Sequence, residues 1–177
     1  STAMNASTSQ RGAVLIVALV FMLIISVLGV ASMRNATMQE RMAGNNKDIN
    51  IAFQAAEAAV REAEAAMDAL ASIDFDGSNG LYLSCPDTTD TRTACSEPDW
   101  QQRASTGWKV VDDELSNVLR QPEYIIEQIS ATADPGAALD SDRTISTQGY
   151  YRVTARGFGQ SDRTMVVLTT TYRREES

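Results

Sequence analysis

Residues 13–33, AVLIVALVFMLIISVLGVASM, form a run of 21 residues without a charge. As an α-helix rising about 1.5 Å per residue, the run measures roughly 31 Å, the thickness of a bilayer's hydrocarbon core. A removable secretory signal usually has an apolar stretch of about 7–15 residues, so this one is long for that purpose. Gly29-Val30-Ala31 nevertheless offers the small residues that signal peptidase requires. On the residues alone three readings stay open: a signal peptide released after Ala31, a permanent membrane anchor, and a helix that occupies the membrane for a time and then leaves it.

Arg11 and Arg34 flank the run. Without them the remaining 13 basic and 23 acidic side chains give a net charge of −10. Such a surface repels phosphate backbones, and the one basic doublet, Arg173-Arg174, is followed at once by Glu175-Glu176, so no nucleic-acid partner is expected. The acidity suits a soluble exported domain. With no histidine and only two cysteines, most zinc sites, nucleophilic dyads and the commonest general base are missing. No glycine-rich phosphate loop or Gly-x-Ser-x-Gly elbow occurs. Residues 74–80, DFDGSNG, have the oxygen density of a calcium loop. Their first glycine comes too early for an EF-hand and no glutamate closes the loop, so a helix-terminating turn is the simpler reading. Neither catalysis, a cofactor nor a metal is expected.

Ahead of the run stands MNASTSQRG, residues 4–12, and Ser1-Thr2-Ala3 before it reads as a cloning remnant. A short polar leader ending in Arg-Gly, an immediate apolar run and then a helix resemble the type IV prepilin signature. The stretch from Arg11 to Glu64 is similar to the amino-terminal region of PilX-type minor pilins, most specifically in Met42-Ala43-Gly44-Asn45 and Ala52-Phe53-Gln54-Ala55-Ala56-Glu57. The tail YYRVTARGFGQSDRTMVVLTTTYRR resembles the closing hairpin of that family. The resemblance implies cleavage by a prepilin peptidase between Gly12 and Ala13, followed by N-methylation of Ala13. It also implies an inner-membrane helix at residues 13–33, a periplasmic domain at 34–177, and later incorporation into an extracellular pilus.

Two departures from the family pattern stand out. Ala13 replaces the usual first phenylalanine of the processed chain. Val17 takes the place of the glutamate that, in that family, meets the terminal amine of the subunit ahead. A carboxylate in the membrane costs about 2.5–3.5 kcal/mol unless it finds a partner. Val17 therefore suits a subunit with nothing ahead of it, at the filament tip. The resemblance implies a structural protein that primes pilus assembly with other minor pilins and other pilus subunits, with a tip adhesin as an optional further partner. The competing classes are a secreted binding domain and a static signal-anchored periplasmic protein.

Beyond Arg34 helical periodicity continues. Ile49, Phe53, Ala56, Val60, Ala63, Met67 and Leu70 step by fours and threes, which predicts a helix face laid on a sheet. Gly44-Asn45-Asn46 weakens the helix locally, and the whole helix is expected to run to about residue 72. Cys85 and Cys95 bracket a short polar loop, and in an oxidising compartment a disulfide between them is expected. Of Trp100 and Trp108, at least one is expected to anchor this connection to the core. Strands are predicted at 124–129, 151–156 and 165–172, with a further one at 108–111 and a short helix at 113–119. Residues 157–162 read as a hairpin loop whose glycines supply positive φ, and 134–142 as a surface excursion. The sum is an α+β pilin fold: one long helix packed on an antiparallel sheet of about 3–4 strands, with a disulfide-containing loop.

Overall fold

The computed structural model describes residues 11–72, 74–133 and 147–176. The expected surface excursion at 134–142 and the leader before Arg11 lie outside them. The chain divides into two compact units, Ser1–Asn46 and Lys47–Ser177. One helix, α1 (Arg11–Ala66), passes through both, and a 3-10 helix (Met67–Ser72) follows it. No proline interrupts α1, and alanine, the best helix former, dominates its second half. Gly44-Asn45-Asn46, expected to weaken the helix locally, lies within α1.

In the second unit five strands form one sheet: β1 (Leu81–Leu83), β2 (Lys109–Val110), β3 (Glu123–Ala133), β4 (Thr147–Phe158) and β5 (Met165–Glu176). The order is β1-β3-β4-β5, with β2 also paired to β3. β3, β4 and β5 make the antiparallel meander expected from the sequence. The sheet is mixed, however, because β1 runs parallel to β3. That three-residue strand carries no alternation long enough to be read from sequence.

Strand alternation sends successive side chains to opposite faces. The inner face buries Tyr124, Ile126, Tyr151, Val153 and Ala155 against Ala59, Ala63 and Met67 of the helical layer. The helix strip differs from the expected one. Ala52, Ala55, Ala56, Ala59, Ala63 and Met67 are buried, Val60 is half-buried, and Ile49 and Phe53 are 42% exposed. The side chain of Leu70 lies outside the described set. The shift has a steric cause at Gly157 of β4. A Cβ there would overlap the Ala52 carbonyl oxygen and the Ala56 amide nitrogen. Helix and strand meet backbone to backbone, which leaves room only for methyl groups between them and turns larger side chains away.

The expected turn glycines are accordingly reassigned. Gly157 and Gly159 do not have positive φ; among the described residues Gly77, Gly80, Gly107 and Asn79 do. Gly77 and Gly80 shape the turn after the helix, where the Asp76 carboxylate accepts from the Ser78 amide at 2.9 Å and the Ser78 hydroxyl at 2.6 Å. The short helix expected at 113–119 is absent. Turns replace it, braced by the Gln121 side chain, which accepts from the Leu115 amide and donates to the Leu115 carbonyl, both at 2.9 Å. This brace satisfies backbone groups that a helical turn would otherwise pair.

Candidate functional site

The first candidate region is the amino-terminal part of α1. Its large apolar side chains from Val14 to Met33 are 47–74% exposed. This stretch is long and apolar enough to cross a membrane. Two hydroxyls close onto the helix itself: Ser26 donates to the Met22 carbonyl at 2.7 Å, and Thr37 beyond the stretch donates to the Met33 carbonyl at 3.0 Å. Polar groups closed in this way need no water, as a lipid or helix-bundle environment demands. Gly12 and Ala13 lie in the first turns of α1, with Val17 one turn further and exposed. A Cβ on Gly12 or Gly29 would meet nothing within 4 Å.

The second region is the outer face of the sheet, which the connection between β1 and β3 covers. Its chemistry is ionic. Glu123 and Arg156 stand directly opposite each other on β3 and β4, as do Glu127 and Arg152. The Arg152 guanidinium forks onto both Glu127 oxygens at 2.8 Å. Arg156 is fully buried; its Nε donates to Glu123 at 2.5 Å. Its remaining N–H groups reach the carbonyls of Gln102, Arg103 and Ser105 and the Ser105 hydroxyl. Trp108 stacks on the same guanidinium, 4.2 Å from Cζ to the ring centroid. Burial pushes the Arg156 pKa down, opposed by its hydrogen bond and charge attraction to Glu123. Breaking such a pair by removing one partner typically costs about 3–5 kcal/mol, because the other charge stays buried. Arg156 thus straps residues 102–105 onto the sheet.

The Cys85–Cys95 disulfide joins the same covering connection, with Cα atoms 5.6 Å apart. Trp108 is the anchoring tryptophan and Trp100 is 48% exposed. Trp100, Glu97 and Pro98 form one wall of a cleft of about 320 Å³ whose floor is Glu127, Arg152 and Thr169. Cys85, Asp90 and Cys95 lie close together, but both sulfurs are spent in the disulfide, so no thiolate is offered to a metal.

A third feature ties the helix to the β4–β5 turn. Asp48 accepts from the amides of Gln160 and Ser161 and from the Ser161 hydroxyl. The Ser161 and Thr164 hydroxyls, with those amides, hold its carboxyl at about 2, well below its ordinary value. On the opposite side Glu62 accepts from the Asp112 amide and the Tyr124 hydroxyl. Burial and the nearby Glu62 charge push the Tyr124 hydroxyl up. Sequence reasoning missed Asp48, Glu62 and the Glu–Arg ladder. The ladder alone left a trace, as Glu127, Arg152 and Arg156 lie within predicted strands.

These arrangements fasten the covering connection and the β4–β5 turn to the sheet and the helix. Two family models match the chain: PilX N-terminal over residues 11–61, and Type IV pilus assembly protein PilX C-term over residues 72–174. No curated protein and no solved structure gives a significant match.

Proposed function

Because this chain belongs to the PilX family of type IV pilus assembly proteins, we propose that it is a minor pilin that primes the filament and stays at or near its tip. The observation that carries this reading is the 21-residue uncharged segment on α1, exposed along its length and continuous with the helix of a folded domain. Exposed leucine and isoleucine each forgo roughly 1.5–3 kcal/mol of burial. Lipid covers them while the subunit waits in the inner membrane with its carboxyl-terminal domain in the periplasm. Neighbouring subunit helices cover them in the filament, where Ala18, Ser26 and Gly29 allow close approach.

Val17 supports the tip position. Resembling pilins carry at this place a glutamate that pairs with the subunit ahead, and a leading subunit has none ahead of it. A prepilin peptidase cuts after Gly12, and Ala13 becomes the N-methylated terminus. Other minor pilins and pilus subunits are its partners, and a tip adhesin is its cargo. It acts as a structural subunit rather than a catalyst.

The native amino terminus tests this reading. Mass spectrometry is expected to find N-methyl-Ala13 in the wild type and an uncleaved leader in Gly12→Val, together with loss of piliation. A terminus at Ser32 would instead identify a secreted domain, and one at Met4 a static anchor. Normal piliation in Gly12→Val would overturn the proposal.

A further inference from the structure

Phe158 is fully buried on the outer face of the sheet, and three guanidinium groups crowd its ring. The Cζ atoms of Arg120, Arg103 and Arg156 lie 4.7, 5.1 and 5.6 Å from its centroid. Among the described residues one carboxylate is paired with this cluster. Glu123 accepts from Arg156 Nε and from Arg120 Nη2. Arg103 has no ion pair among the described residues; its Nη2 donates to the Thr164 carbonyl at 3.4 Å. Asp48, which binds the same β4–β5 turn, spends its oxygens on Gln160 and Ser161. The cluster therefore holds three positive charges against one negative, in a chain whose net charge is −8.

The cluster is built rather than scattered. Arg156 uses its donors on Glu123 and on the backbone and hydroxyl of residues 102–105. It is a positioning residue that fixes the backbone from which Arg103 projects. Arg120 Nη1 donates to the Arg103 carbonyl at 2.6 Å and so ties the Arg120 guanidinium to the backbone that carries Arg103. Both guanidiniums lie within cation–π distance of Phe158. Like charges held together in this way are completed by an anion, and a planar guanidinium fork matches a carboxylate through two parallel hydrogen bonds.

We propose that Arg103 and Arg120 form an anion-binding site that takes carboxylate side chains from an acidic segment of a neighbouring subunit. The binding chemistry stands independently of the pilus reading; only the source of the carboxylates rests on it.

The purified full-length chain in a neutral detergent provides the test, with hexaglutamate as the probe and hexaglutamine and inorganic phosphate as comparators at matched ionic strength. Hexaglutamate is expected to bind and to raise the melting temperature by a few degrees, while hexaglutamine does neither. Arg103→Gln or Arg120→Gln should weaken binding about tenfold or more, and Arg103→Lys less, because charge survives and the fork does not. Two separate variants are used so that a folding defect in one leaves the other informative. Absence of binding, or equal binding by wild type and both Gln variants, would overturn the site. Phosphate binding as tight as hexaglutamate would overturn its assignment to carboxylates. A chain whose leader is never cut, yet which binds hexaglutamate through Arg103, would sink the pilus reading and leave the site standing.

Discussion

Gly157 is the point at which one missing carbon sets the spacing between two layers. Any side chain there meets the α1 backbone at Ala52 and Ala56, so a methyl group must push the helix off the sheet. Gly157→Ala is expected to destabilise the Lys47–Ser177 unit by about 1–3 kcal/mol, the usual cost of overpacking a tight core, read as a lower melting temperature. An unchanged melting temperature would refute the backbone contact. Asp48 is the other single residue that ties the helix to the β4–β5 turn. Its carboxyl titrates at about 2 in the folded chain, against an ordinary value of 3.8. The depressed value means its contribution to stability is present above the unfolded-state pKa and is lost as pH falls through about 2. Asp48→Asn is therefore expected to melt below the wild type at pH 7 and to converge with it near pH 2. A gap between the two that stays constant with pH would show that the charge plays no part.

Among the elements, the disulfide-bearing connection has the least repetitive backbone and the most side-chain fastening. It lacks a long strand or helix of its own, and the Cys85–Cys95 bridge, the Arg156 strap and the Trp108 stack hold it to the outer face. A loop this short, closed by a disulfide, contributes about 2.5–3 kcal/mol in the chain-entropy model. Replacing both cysteines with serine is expected to lower the melting temperature under oxidising conditions while leaving amino-terminal processing intact. An unchanged melting temperature would show that the remaining fastenings suffice.

At the scale of the molecule, the helix, the three long strands and the disulfide were legible because each rests on local information. Helical and strand periodicity are written in neighbouring residues, and two cysteines leave one pairing. Of the strip Ile49, Phe53, Ala56, Val60, Ala63, Met67 and Leu70, the part from Ala56 to Met67 packs as expected, while Ile49 and Phe53 turn outward, since periodicity favours large apolar residues and knows nothing of Gly157. The helix at 113–119 was drawn from composition, and the Gln121 brace that replaces it arises only when the chain turns back on itself. β1 is too short to register, and its parallel pairing depends on a distant strand.

What the sequence by itself determined is everything governed by spacing along the chain: a bilayer-length helix, the alternation of β3, β4 and β5, and the motifs that place it among PilX proteins. What only the tertiary structure decided is which small residues face one another and which charges are buried together. The close approach at Gly157 joins it to residues about 100 positions away, and Phe158 meets Arg103 and Arg120 from about 55 and 40 positions away. Such separations bring groups together only after loop-closure entropy has been overcome by the packing of the whole sheet.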